Sequence, residues 1–117
     1  MSDELKTAID AAKNGALVAL KFYGQNIKSQ TKKDSTIVTE ADFETEKRIM
    51  SFIKSKFSNA KFVGEETGGS IREDEFWVID PIDGTRSFSR GIPTWCVIVS
   101  LCRKGEIMLS AIYYPHD

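Results

Sequence analysis

Apolar residues recur at helical spacing near the start of the chain, at Leu5, Ala8, Ile9, Ala12, Ala16 and Leu20, which predicts an amphipathic helix. Ser2 stands where it can cap the first turn, and Asp3 and Glu4 bring negative charge to the positive end of the helix dipole. The pattern ends near Gly24. Residues 25–35 are polar, with Lys28, Lys32, Lys33 and Asp34 among them, and read as a connection. Thr39-Glu40-Ala41-Asp42 has the form of a capping box, so a second helix is expected to start at Thr39, with Ile49, Ile53 and Phe57 on its apolar face. The pattern then changes. Lys61-Phe62-Val63 predicts a short strand that runs into Gly64-Glu65-Glu66, and the polar, glycine-containing residues 67–75 predict a loop. Phe76-Trp77-Val78-Ile79 reads as a buried strand stopped by Asp80-Pro81. Residues 95–102 and 107–114 predict two more strands, joined as a hairpin through Arg103-Lys104-Gly105-Glu106. Two helices followed mainly by strands indicate an α+β or layered α/β fold, with no internal repeat.

Composition narrows the chemistry. The chain has 117 residues, 41% hydrophobic and 28% charged, which is one globular domain rather than a disordered or fibrous chain. Sixteen Lys and Arg against 17 Asp and Glu give a net charge of −1, so the basic excess of a dedicated nucleic-acid binder is missing. No stretch approaches a membrane span, and Met1 is followed by Ser2-Asp3-Glu4 rather than by a basic leader, so a cytoplasmic protein is expected. Cys96 and Cys102 are too few for a disulfide framework. Evenly spaced on one strand, they are expected to share a face and pack as small hydrophobes. His116 is the single histidine; it is expected to be solvated, and zinc sites and histidine triads are set aside. Trp77, Trp95, Phe62 and Phe76 are expected in the core. Any chemistry rests on carboxylates.

The informative stretch is Trp77-Val78-Ile79-Asp80-Pro81-Ile82-Asp83-Gly84-Thr85. A buried strand delivers two carboxylates three residues apart, followed by a glycine that permits close backbone approach and by a short helix expected over 85–88. Hard cations such as Mg²⁺ take oxygen ligands of this kind, and a helix start can receive a phosphate. The other reading is that Asp80 and Asp83 only form Asx-turns after the strand. Glu65 and Glu66 fit either a second acidic strand end or a solvated loop, and Asp42 fits either a site acid or the third helical position of the Thr39 capping box.

The order of these segments resembles the inositol monophosphatase family of metal-dependent phosphatases. Residues 77–93, W-V-I-D-P-I-D-G-T-R-S-F-S-R-G-I-P, match its W-x-I-D-P-x-D-G-T-x-x-F-x-x-G-x-P pattern. Val63-Gly64-Glu65-Glu66 matches its G-E-E segment. Residues 32–42, K-K-D-S-T-I-V-T-E-A-D, are similar to K-x-D-x-S-P-V-T-x-A-D, with Thr36 and Ile37 in place of Ser and Pro.

The resemblance implies the N-terminal lobe, residues 1–117, of a layered αβαβα sugar-phosphatase fold with a mainly antiparallel sheet. It implies Mg²⁺ held by Glu65, Asp80, Asp83 and the Ile82 carbonyl. Gly84 and Thr85 would bind the substrate phosphate, Asp42 paired with Thr85 would orient and deprotonate the attacking water, and Glu66 would support the metal ligands. The implied reaction is hydrolysis of a small phosphomonoester by a metal-activated water, with inositol monophosphate as the family's substrate.

Arg86-Ser87 is closer to the histidinol-phosphatase branch; Arg86 also fits a solvated surface position. A nucleotide or sugar phosphate is a further alternative. The family's third metal-binding aspartate lies in a W-D-x-A-A-G motif that has no counterpart after Tyr114, which leaves a catalytically deficient metal- and phosphate-binding module as a rival reading. A haloacid-dehalogenase mechanism is disfavoured, because its Asp-x-Asp spacing is absent. The family's second half would cover a sheet face, so apolar surface around Val97, Val99, Leu101 and Ile112 is expected to drive homo-oligomerisation. Neither nucleic acid nor membrane is expected as a partner.

Overall fold

The structure, a computed structural model, describes residues 1–24, 32–64, 68–69 and 74–117, with 32–38 described by backbone alone. Helix α1 spans Asp3–Phe22 and is capped as the sequence predicts, with Ser2 Oγ accepting from the Leu5 N–H at 3.1 Å. Its buried stripe is made of small residues, Thr7, Ala8, Ala11, Ala12, Gly15, Ala16 and Ala19. Such a stripe lets α2 approach closely, and Ile49 and Ile53 of α2 fill the interface. A Cβ on Gly15 would lie 2.6 Å from Ile49 Cδ1. Gly15→Val is therefore expected to lower stability by about 2–3 kcal/mol through overpacking, read as a lower midpoint in thermal unfolding.

Helix α2 spans Lys32–Lys56, so it begins seven residues before the expected start at Thr39. Residues 32–38 contain neither Gly nor Pro, and Ile37 stands where the similar segment has proline, so nothing interrupts the backbone ladder. Thr39 is therefore not a helix cap, and the capping reading of Asp42 falls with it: Asp42 lies well inside the helix and is buried.

The sheet has the order β2-β1-β3-β4-β5. Strand β1 (Phe62–Gly64) runs parallel to β3 (Glu75–Asp83), while β2 (Gly68–Gly69), β4 (Cys96–Arg103) and β5 (Glu106–Tyr113) each run antiparallel to their neighbours. Within the stretch expected as a loop, Gly68–Gly69 thus forms a two-residue strand. The β4–β5 hairpin turns through Lys104 (φ 53°) and Gly105 (φ 81°), the left-handed pair a tight two-residue loop requires. At the same end, Arg103 bridges Glu75 at 2.7 Å and Glu4 at 3.1 Å, tying the start of α1 to the sheet.

Helix α1 packs on β4 and β5, and α2 on β3. Trp77, Ile79, Val97, Val99 and Leu101 are buried in this core. This corrects the expectation that Val97, Val99 and Leu101 would be uncovered. Alternation along a strand separates two faces but does not say which face helices cover. Ile112 is exposed as expected, and with Ile107, Met108 and Tyr114 it forms a run of exposed apolar residues along or just beyond β5 at the sheet edge; Leu17, Phe43 and Ile92 are exposed elsewhere. No described helix is long and apolar enough to cross a membrane.

Candidate active site

The site is built at the end of β3. The strand does not stop at Asp80-Pro81 as its sequence predicts; it continues to Asp83. Asp80 pairs with Ile98 and Asp83 with Cys96, so three steps on β3 oppose two on β4. The register shift accommodates Pro81, which has no N–H to give to a ladder. It also has a chemical consequence. Residues three apart on a regular strand point to opposite faces, whereas Ile98 and Cys96 share one face of β4. The extra residue therefore brings Asp80 and Asp83 to the same face, the one opposite the helix-covered Ile79, Val97 and Val99. Pro81 and Ile82 lie inside the shift with no register partner on β4.

Gly84 follows at φ 92° and ψ 45°, and a Cβ there would sit 3.4 Å from Trp95 Cα. The left-handed backbone favours glycine, while a Cβ would meet Trp95 only at ordinary van der Waals distance. Helix α3 (Thr85–Ser89) starts at once, closed by the Phe88 N–H donating to Gly84 O at 3.0 Å. A cluster of aromatic rings stands behind it. Phe88 meets Trp95 edge-on with centroids 5.0 Å apart, Tyr23 lies 5.5 Å from Phe88, and the Tyr23 hydroxyl donates to Gly91 O at 2.6 Å. His116 is exposed, as expected, and one side of its ring lies 4.7 Å from the Tyr23 ring and 5.4 Å from Trp95. Tyr23 carried no signal in the sequence because it falls at the end of α1, beyond the helical pattern. Ser87 accepts a hydrogen bond from Thr94 Oγ1 at 3.1 Å, while Arg86 is exposed.

Helix α2 packs against α3, which brings the element carrying Asp42 beside the one that begins at Thr85. Glu65 and Glu66 lie outside the described residues. Among the described residues, no three His, Cys, Asp or Glu side chains gather as a metal cage; the site contributes Asp80 and Asp83. Two carboxylates on one face, with oxygen as their only donor atoms, fit a hard cation such as Mg²⁺.

Cys96 does more than pack. Its Sγ donates to Asp83 Oδ2 at 3.7 Å, and the Tyr114 hydroxyl also hydrogen-bonds it. Burial first, and then the Asp83 carboxylate, push the thiol from 9 up to about 11. At neutral pH the thiolate is therefore a fraction on the order of one in ten thousand. In the metal-free protein, iodoacetamide labelling of Cys96 should be very slow at pH 7 and rise about tenfold per pH unit towards pH 11, read by peptide mass spectrometry. Fast labelling of folded protein at pH 7 would contradict this environment.

The family model described as the inositol monophosphatase family matches residues 1–117. A histidinol-phosphatase of Chlorobaculum parvum is 36% identical over 98% of this chain and 45% of its own length. An inositol monophosphatase of Mesembryanthemum crystallinum is 33% identical over 98% of this chain and 44% of its own. The structure of an IMPase from Thermotoga maritima superposes with a TM-score of 0.81 at 30% identity, covering 97% of this chain and 45% of that one. The chain thus spans less than half the length of the curated relatives it matches.

Proposed function

The chain belongs to the inositol monophosphatase family, and from that premise we propose that it carries the metal- and phosphate-binding part of a Mg²⁺-dependent phosphomonoesterase. The observation that supports this most is the register shift in β3, which turns Asp80 and Asp83 to one face directly ahead of Gly84 and Thr85. Asp80, Asp83, the Ile82 carbonyl and Glu65 would hold Mg²⁺, with Glu66 supporting them. When bound, Mg²⁺ supplies Lewis acidity to the phosphate and lowers the pKa of water. Gly84 and Thr85 hold the phosphate through backbone N–H groups and the Thr85 hydroxyl. Asp42, acting with Thr85, orients the attacking water and takes its proton, so no side chain of the protein becomes phosphorylated. A cytoplasmic, homo-oligomeric protein goes with this reading.

For the substrate we propose a small phosphomonoester of the inositol monophosphate type. Histidinol phosphate is the second reading. Arg86-Ser87 and the 36% identity to a histidinol-phosphatase favour it. The test is a parallel assay, on the chain extended to the family's full length, of inositol 1-phosphate, histidinol phosphate, a nucleoside monophosphate and a sugar phosphate, each with Mg²⁺ and after chelation. Phosphate release from one or two of these, abolished by chelator and restored by Mg²⁺, is expected. Activity that survives chelation would overturn the metal assignment.

A further inference from the structure

We propose that Cys96 is a positioning residue that holds the Asp83 carboxylate in place for a divalent cation, backed by Tyr114. The inference rests on the metal-site reading above and adds to it the residues that orient one ligand. The three side chains come from neighbouring parts of the sheet. Asp83 and Cys96 are register partners across β3 and β4, and Val97 pairs with Tyr113, so Tyr114 follows opposite Cys96. The thiol donates to Asp83 Oδ2 at 3.7 Å, and Tyr114 hydrogen-bonds the same sulfur.

The two ends differ in their surroundings. Cys96 is 2% exposed and fixed in the sheet, whereas Asp83 is exposed at the strand end beyond the register shift. A bond from a fixed donor to an exposed carboxylate selects one rotamer. It occupies one of the roughly four acceptor positions of the carboxylate, leaving Oδ1 for a cation. Partners of this kind orient metal ligands, and losing one costs about 10–100-fold in affinity. The competing account is that Cys96 fills space as a small buried side chain. That account predicts that Val and Ala are tolerated as well as Ser.

The experiment compares wild type, C96S, C96A, C96V and D83N in the full chain. Mn²⁺ affinity is measured by the electron paramagnetic resonance of free Mn²⁺. The Asp83 χ1 rotamer is measured without metal from Hα–Hβ couplings. Wild type and C96S should show one dominant Asp83 rotamer and Mn²⁺ affinities within a few-fold of each other. C96A and C96V should show averaged couplings and affinity weaker by about tenfold or more. An unchanged Asp83 rotamer or unchanged affinity in C96A and C96V, with D83N still losing Mn²⁺, overturns the role of Cys96 and leaves the metal site standing. Equal losses in C96S and C96A also overturn it, since the donor would then be irrelevant. If wild type and D83N bind Mn²⁺ equally, the metal-site reading itself is wrong and this inference goes with it.

Discussion

Asp83→Asn, made in the chain extended to the family's full length, is expected to reduce phosphatase turnover by about 100- to 1000-fold, which corresponds to roughly 3–4 kcal/mol of lost transition-state stabilisation, while leaving the fold intact. The substitution keeps shape and removes one negative charge from an oxygen-donor set that has few charges to spare. A neutral amide oxygen is a poorer ligand for a hard cation, so Mg²⁺ affinity should fall together with turnover. The structural cost should be small. Asp83 is exposed and stands last in β3, and substitutions at such positions usually change stability by less than about 0.5 kcal/mol. The amide oxygen of the substituted side chain can still accept from the Cys96 thiol. Glu106→Gln, an exposed acid at the far end of the β4–β5 hairpin, provides the control and should leave turnover unchanged. Activity of Asp83→Asn within a few-fold of wild type, at matched Mg²⁺ and matched thermal midpoint, would remove Asp83 from the metal site.

What the sequence made legible follows the range of the interactions concerned. The cap at Ser2, the hairpin turn at Lys104-Gly105 and the short helix after Gly84 are set by residues within four positions of each other, and each forms as expected. The start of α2 was not legible in the same way. Thr39-Glu40-Ala41-Asp42 is a sound capping pattern, but a cap is used only where a helix begins, and residues 32–38 carry nothing that stops one from beginning earlier. Asp80 and Asp83 stood out as residues, while the strand pairing that gives them a common face did not. That face depends on a register shift against β4, a partner more than a dozen residues away. Cys96 illustrates the same limit. Its even spacing from Cys102 correctly put it in a buried strand, and only the pairing with Asp83 gives its sulfur a polar partner. The side chains of Glu65 and Asp34 lie outside what the structure describes, so the resemblance remains the support for Glu65 in the metal site.

These 117 residues by themselves are expected to turn over substrate at least about 1000-fold more slowly than a full-length relative, and to self-associate through β5. The catalytic half of the expectation comes from the ligand set. Glu65, Asp80 and Asp83 suffice for one Mg²⁺ with waters filling its other positions. A second cation, which would stabilise the leaving oxygen, would by the family resemblance call on the aspartate of a W-D-x-A-A-G segment, and more than half of each relative's length lies outside what matches here. The association half comes from the sheet. Among the described residues β5 pairs only with β4, and its eight residues, EIMLSAIY, contain one charge and no proline. Ile107, Met108 and Ile112 are 69%, 51% and 56% exposed. An apolar edge with so few of the charges that keep edges apart is a template for pairing with a second copy. Light scattering should therefore give a mass above the 13.1 kDa monomer, increasing with concentration. Met108→Lys combined with Ile112→Lys should return it to monomer without touching Asp80, Asp83 or Thr85. Mg²⁺ binding should survive that double substitution, because the metal ligands and the association edge occupy different strands. A wild-type monomer that matches a full-length relative in turnover would show instead that two acids on β3, one on α2 and Glu65 are enough for the whole reaction.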